Sequence, residues 1–454
     1  MRDKPVREEI TLTLKHLVSG TSFAAILLLS SACAPASEDS ATEQSAADTS
    51  STPETSAPEP QAVSGIDVSD PESVGFSTAG LQALDADYQA LVEDGKLAGL
   101  VWLVSRHGKI VTLNSHGVLS YETQEPVKPD SIFRIASMTK PITGVAMMML
   151  WEEGKWKLDD PVSKYIPEFV DLEVKTADGG TEPMASPMTM AQLMSHSAGF
   201  GVSATYNGVN LSESDLQGMI DKLAQLPLET QPGTAWDYGP SVNVQAYIVE
   251  KLSGQSLDQF FEERIFEPLG MDDTGFWVPS DKQHRVTRIY DYEEDGSLGM
   301  MPERLQNEVP QFLSGSGGLF STPLDYWAFT QMLQGEGAYQ GERLLQSETV
   351  LKMRENVLDA GVPVDLYGPD MPGIGFGMDF AVVMDKEAAG NKQNVGSYYW
   401  GGFFGTSFWI DPVDDLVFIA FIQNNNGSNP YQGTPPVRNM AIDALYSALE
   451  DPSK

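Results

Sequence analysis

Phe133-Arg-Ile-Ala-Ser137-Met-Thr-Lys140 runs without a break into Pro141-Ile-Thr-Gly-Val-Ala-Met-Met-Met-Leu-Trp151. The second half carries no charge and is almost wholly apolar, so it reads as a helix buried on every side. At its N-terminal edge stand Ser137 and Lys140. A spacing of three places a hydroxyl and an amine on one face of the first helical turn, where the helix N-terminus also favours negative charge developing on the serine. Lysine is a poor base in water, with a reference pKa near 10.4, but burial or a neighbouring cation lowers it until it can take the serine proton. An isolated Ser-x-x-Lys pair recurs by chance. Its place just ahead of so apolar a helix is what points to a nucleophile and its base.

Two stretches further along suit the same chemistry. Pro232-Gly-Thr-Ala-Trp-Asp-Tyr238 precedes a helical run from Val244 to Gly254, an order that lets a phenol project from a loop and pass a proton between nucleophile and leaving group. Taken alone, Tyr238 is more simply an interfacial tyrosine. Tyr398-Tyr-Trp-Gly-Gly-Phe-Phe-Gly405 opens a strand in which glycines let a substrate approach backbone N–H groups closely.

The flanking elements predict the frame. From Ser77 to Glu93, apolar Leu81, Leu84, Tyr88 and Leu91 recur at helical spacing, with Ser77 as N-cap and Gly95 as stop. Leu100 to Val104, the turn Arg106-His-Gly-Lys109 and Ile110 to Leu113 read as a β-hairpin. A second hairpin joins Thr406–Ile410 to Leu416–Ile422 across Asp411-Pro412, and Val437 to Leu449 is a closing helix. Strands near both chain ends predict one antiparallel sheet assembled from both and flanked by helices, an α/β (α+β) fold. The middle, about 156–310, is rich in Pro and Gly and holds helical stretches such as Leu216–Leu226 and Val242–Leu252, so it reads as an inserted, mainly helical region.

A single Cys in 454 residues rules out a disulfide framework or a cysteine zinc site. No His-Glu-x-x-His or paired ligand spacing occurs, so neither a metal nor another cofactor is expected. The formal charge is −36, from 28 Lys and Arg against 64 Asp and Glu, which repels nucleic acid. Residues 1–33 carry +1, residues 34–70 carry −8 with no cation, and the body holds the other −29. Lys15-His16 ahead of the apolar run Leu17–Leu29 and then Ser-Ser-Ala-Cys33 reads as a signal peptide over residues 1–33, its apolar part too short to span a membrane. Cys33 is the expected lipidation site, although Leu29 stands one place before the usual lipobox leucine. Ordinary cleavage near Ala34-Pro-Ala36 is the alternative, giving a soluble periplasmic or secreted protein. Residues 34–70, mostly Ala, Ser, Thr, Pro, Glu and Asp, read as a disordered acidic tether to a domain at 71–450. The expected setting is outside the cytoplasm, with a membrane engaged only through the lipid.

Together, Ser137/Lys140, Tyr238 and the Trp400-Gly401-Gly402 stretch make the chain resemble the serine β-lactamase and penicillin-binding-protein superfamily, in its class C-like branch near the family VIII carboxylesterases. Leu193–Gly199, Phe266–Met271 and Ser314–Pro323 support this in the same order. The resemblance implies that Ser137 is acylated, Lys140 is its base and Tyr238 is the proton shuttle. It further implies that the N–H groups of Ser137 and Phe403 form an oxyanion hole, and that Trp400, Gly401 and Gly402 bind substrate. Two departures from the lactamase pattern matter. Tyr-x-Asn becomes Tyr238-Gly239-Pro240, and Lys-Thr-Gly becomes Trp400-Gly401-Gly402, which removes a cation and offers an apolar wall. An anionic substrate loses a charge-assisted bond of about 1.5–3 kcal/mol in this exchange, so a neutral ester is the expected substrate. A β-lactamase or D-amino-acid peptidase acting on amides, an acyltransferase and a non-catalytic peptidoglycan-binding lipoprotein are the rivals. A Ser-His-Asp hydrolase would need one of His16, His107, His116, His196 or His284, and no complete Gly-x-Ser-x-Gly turn exists. His196, in Ser-His-Ser-Ala-Gly199, reads as a structural turn.

Overall fold

The computed structural model describes residues 66–201, 205–206, 209–302, 306–366, 370–425 and 435–454. The predicted signal peptide, Cys33 and the tether as far as residue 65 lie outside the described residues. Among those described, no helix is long and apolar enough to cross a membrane.

Seven strands form the main sheet: β1 (Gly99–Arg106), β2 (Lys109–Gly117), β3 (Ile374–Phe376), β4 (Ala381–Val383), β5 (Tyr398–Gly401), β6 (Ser407–Asp411) and β7 (Leu416–Phe421). They lie in the order β3-β4-β5-β6-β7-β1-β2, every pair antiparallel. β1 and β7 join the two ends of the domain, with Val101 opposite Phe421 and Arg106 opposite Leu416. The first hairpin turns through His107 and Gly108, both at positive φ (51° and 70°), the two-residue geometry whose twist matches that of the strands. In the second, Asp411 Oδ1 accepts from Val413 N at 2.9 Å and starts the turn back to β7. The short strands β3 and β4, which the sequence reading did not identify, extend the sheet beyond the predicted hairpins.

Helices cover both faces, which is why β6 and β7 are buried throughout and read as continuous apolar runs without alternation. On one face lie α1 (Thr78–Glu93, capped by Ser77) and the C-terminal Val437–Ala448 helix. Tyr88 of α1 packs edge-on against Trp102 of β1 and donates to Val437 O at 2.7 Å, while Asp85 accepts from Trp102 Nε1. On the other face, the Pro323–Gln334 helix sets Tyr326 against Phe408 and Phe421. The apolar stretch after Ser137 is α2 (Thr139–Glu152), buried from Thr139 to Leu150. Gly144 lets the β3–β4 hairpin approach it, because a Cβ there would stand 2.9 Å from Asp379 Oδ2. The inserted region holds α3 (Met190–Met194), α4 (Leu216–Leu223), α5 (Ser241–Ser253) and a helical run over Leu257–Leu269. It also holds small hairpins, such as Glu173–Lys175 with Thr181–Pro183, so it is less purely helical than its composition suggests.

Candidate active site

Ser137 stands in a tight turn, Ala136–Met138, ahead of α2. Ala136 has φ +45°, a left-handed conformation that costs a residue with a Cβ about 1–3 kcal/mol. The surrounding bonds enforce it. Ile135 N donates to Leu319 O (3.0 Å), Met138 N to Ile135 O (3.0 Å) and Thr406 Oγ1 to Ile135 O (3.1 Å), and Tyr326 Oη donates to Met138 O (3.0 Å).

Lys140 Nζ, almost wholly buried, donates to Ser137 Oγ at 3.1 Å and to Ser316 O at 2.7 Å. It also sits 4.4 Å from the centroid of the Tyr238 ring, so the serine, the lysine and the tyrosine converge on one amine. Burial disfavours the ammonium and pulls Lys140 down to about 7, with the Asp379 carboxyl working in the opposite direction. A group with that affinity can hold or release a proton near neutral pH. Tyr238 lies on the loop before α5, stacked on Trp236 (5.6 Å, 18°) and flanked by His196 (4.9 Å) and Trp400 (5.3 Å).

Trp400, on β5, is 3% exposed, and its ring lies against those of Trp236 (6.4 Å between centroids), Tyr238 (5.3 Å) and Phe376 (5.3 Å). Its Nε1 donates to Tyr238 Oη at 3.1 Å. The residue read from sequence as an open apolar wall is thus enclosed, with its polar edge on the phenol. Gly402 follows where β5 meets the Ser137 turn, since a Cβ would stand 2.4 Å from Ile135 O and 2.1 Å from Thr406 Oγ1. Only glycine brings the strand end this close. Phe403 comes next in the turn, its ring 43% exposed and edge-on to Phe404.

Several participants escaped sequence reasoning. The Ser316 carbonyl is aimed at Lys140 by two helices: Asn243 Oδ1 of α5 accepts from Ser316 N (3.0 Å) and Ser314 Oγ (3.1 Å), and Thr143 Oγ1 of α2 donates to Gly315 O (2.7 Å). The sequence reading counted Ser314–Pro323 as support for the family resemblance but gave no residue in it a role. His196 is indeed in a turn, at φ +60°, yet that turn is wedged against Tyr238 and not remote from it. Asp379 carried no sequence signal.

A family profile described as Beta-lactamase matches residues 84–438. Esterase EstB of Burkholderia gladioli is 31% identical over 408 residues, covering 83% of this chain and 98% of that protein. A putative D-alanyl-D-alanine carboxypeptidase of Escherichia coli is 26% identical, covering 84% of this chain and 93% of its own length. Among solved structures, EstCE1, described as a hydrolase with promiscuous acyltransferase activity, superposes with a TM-score of 0.70 at 24% identity, covering 82% of this chain and all of that one.

Proposed function

Because the chain belongs to the beta-lactamase family of serine hydrolases, we propose that it cleaves neutral carboxylic esters through an acyl-enzyme on Ser137. The observation that carries this reading is the 3.1 Å contact of Lys140 Nζ with Ser137 Oγ beneath the Tyr238 ring. As the free amine, Lys140 accepts the Ser137 proton while Oγ attacks the ester carbonyl carbon. The oxygen that becomes anionic lies between the backbone N–H groups of Ser137 and Phe403. Tyr238 hands a proton to the departing alkoxide and takes it back through Lys140. Water then repeats the sequence on the acyl-enzyme and releases the acid. Preference for an ester over an anionic lactam follows from residue 400, where an indole N–H on the phenol stands in place of a cation for a substrate carboxylate.

Ser137→Ala should remain folded, show no burst of nitrophenol from p-nitrophenyl butyrate, and take up no fluorophosphonate, whereas the parent protein is labelled at Ser137. Labelling at another serine would sink the mechanism. Faster turnover of nitrocefin or D-Ala amides than of the ester would transfer the assignment to the lactamase or peptidase branch.

A further inference from the structure

The helical run over Leu257–Leu269 and the segment that follows it enclose a cavity of about 420 Å³, which shares no lining residue with the group formed by Ser137, Lys140, Tyr238 and Trp400. Phe266, Phe276 and Val278 give it a buried apolar floor, and the half-buried Trp277 joins them. Asp258, Glu262 and Phe266 recur every four residues along the run, on one helix face, and all three line the cavity. At Glu262–Phe266 the run widens to a π-turn, a departure from regular helix that recurs at functional sites. Glu267 and Asp272 complete a rim of carboxylates with Asp258 and Glu262. None of these four side chains has an ion pair or hydrogen bond among the described residues. The one cation lining the cavity is Lys282, and its amine is already engaged by Asp272 O (2.7 Å) and Asp273 Oδ1 (2.8 Å). Asp273 is bonded by Arg285 as well, Nη1 donating at 2.8 Å. The rim charge is therefore uncompensated. Partial burial and then the Glu267 and Asp272 carboxylates push Glu262 above its ordinary value, with Lys282 opposing.

A negative rim over an aromatic floor selects one kind of occupant. An anion is repelled, and a neutral apolar molecule gains nothing from the rim. A metal ion needs ligands that converge on a point, and among the described residues no three His, Cys, Asp or Glu side chains are placed to hold one. A quaternary ammonium ion is weakly hydrated, spreads its charge over methyl groups and is drawn to aromatic faces as well as to carboxylates. The face of Trp277 is unclaimed by any side-chain cation of the described residues, whereas Arg134 and Arg264 lie over Phe320 and Phe260. We propose that this cavity binds a small quaternary ammonium compound, its charge held between the Glu262 and Glu267 carboxylates and the Trp277 ring and its apolar arm laid on Phe266, Phe276 and Val278. This site is separate from the acyl-enzyme chemistry and does not rest on it.

The test is a calorimetric titration of the whole protein with benzyltrimethylammonium, set beside benzyl alcohol, which has the same ring and no charge. The parent protein should bind one equivalent of the cation saturably and the alcohol at least about tenfold more weakly. Glu262→Gln with Glu267→Gln, two exposed positions whose exchange leaves the core untouched, should weaken the cation about tenfold. Trp277→Leu keeps an apolar filler but removes the aromatic face, and it should weaken the cation by a similar factor. Glu342→Gln with Glu348→Gln removes as much charge from exposed positions outside the cavity and should leave the affinity as it was. The absence of saturable binding, equal affinity for the alcohol, or unchanged affinity in the Glu262/Glu267 variant would each overturn the proposal. So would an equal loss in the Glu342/Glu348 variant, because the cation would then be answering to the general surface charge.

Discussion

At Trp400 one side chain does two separable jobs. Its ring fills the space between Trp236, Tyr238 and Phe376, and its N–H bonds the Tyr238 oxygen. That bond holds the phenol oxygen, so losing the donor weakens the proposed proton transfer through Tyr238 without opening a cavity of ring size. Trp400→Phe should therefore lower kcat for p-nitrophenyl butyrate about tenfold, the cost of one hydrogen bond, and leave KM nearly unchanged. A raised KM at constant kcat would instead mean that the ring's main contact is with the acyl group. The kind of residue at 400 was legible in the sequence. The direction of its N–H was not, because that depends on Tyr238, more than 160 residues away in the chain.

Among the elements, α5 is the one whose displacement would reach the chemistry without touching it. Through Asn243 it holds the 314–316 loop by two bonds, and that loop supplies the carbonyl against which Lys140 is set. Asn243→Ala leaves Ser316 N without its acceptor. The expected result is a loss of about 1–2 kcal/mol in urea unfolding together with a fall in kcat, while KM moves little. Full activity in the variant would show that the Ser316 carbonyl does not set the lysine. The helix itself was legible from its apolar spacing, observed at Ser241–Ser253 against the expected Val242–Leu252. Its partnership with the loop was not, since Asn243 reads as any polar position on a helix.

For the molecule as a whole, the sheet closes only when the N- and C-terminal segments of the domain meet, and Arg106 is placed at that junction. It is buried, and its guanidinium donates to Val74 O (2.6 Å), Pro452 O (2.7 Å) and Asp414 O (2.8 Å). Arg106→Met strips four carbonyls, these three and Asp451 O (3.4 Å), of a charged donor, and each such bond contributes about 1.5–3 kcal/mol. The variant should lose at least about 3 kcal/mol of stability, seen as a lower urea midpoint, while the fraction that remains folded labels Ser137 at the parent rate; an unchanged midpoint would show that the junction is held by packing alone. The sequence by itself determined the buried helix that follows Ser137, the two hairpins, the closing helix and the residue types at 137, 140, 238 and 400. Helical periodicity, turn geometry and short apolar strand runs are local properties, expressed within about a dozen residues of chain. Only the tertiary structure decided that Lys140 is dry enough to act near neutral pH, that Trp400 turns its N–H to Tyr238, and that Asp379, one of 64 acidic residues, is the one buried beside α2. Proton affinity and orientation depend on what excludes water and on which groups meet through space, and those neighbours come from segments far apart in the chain.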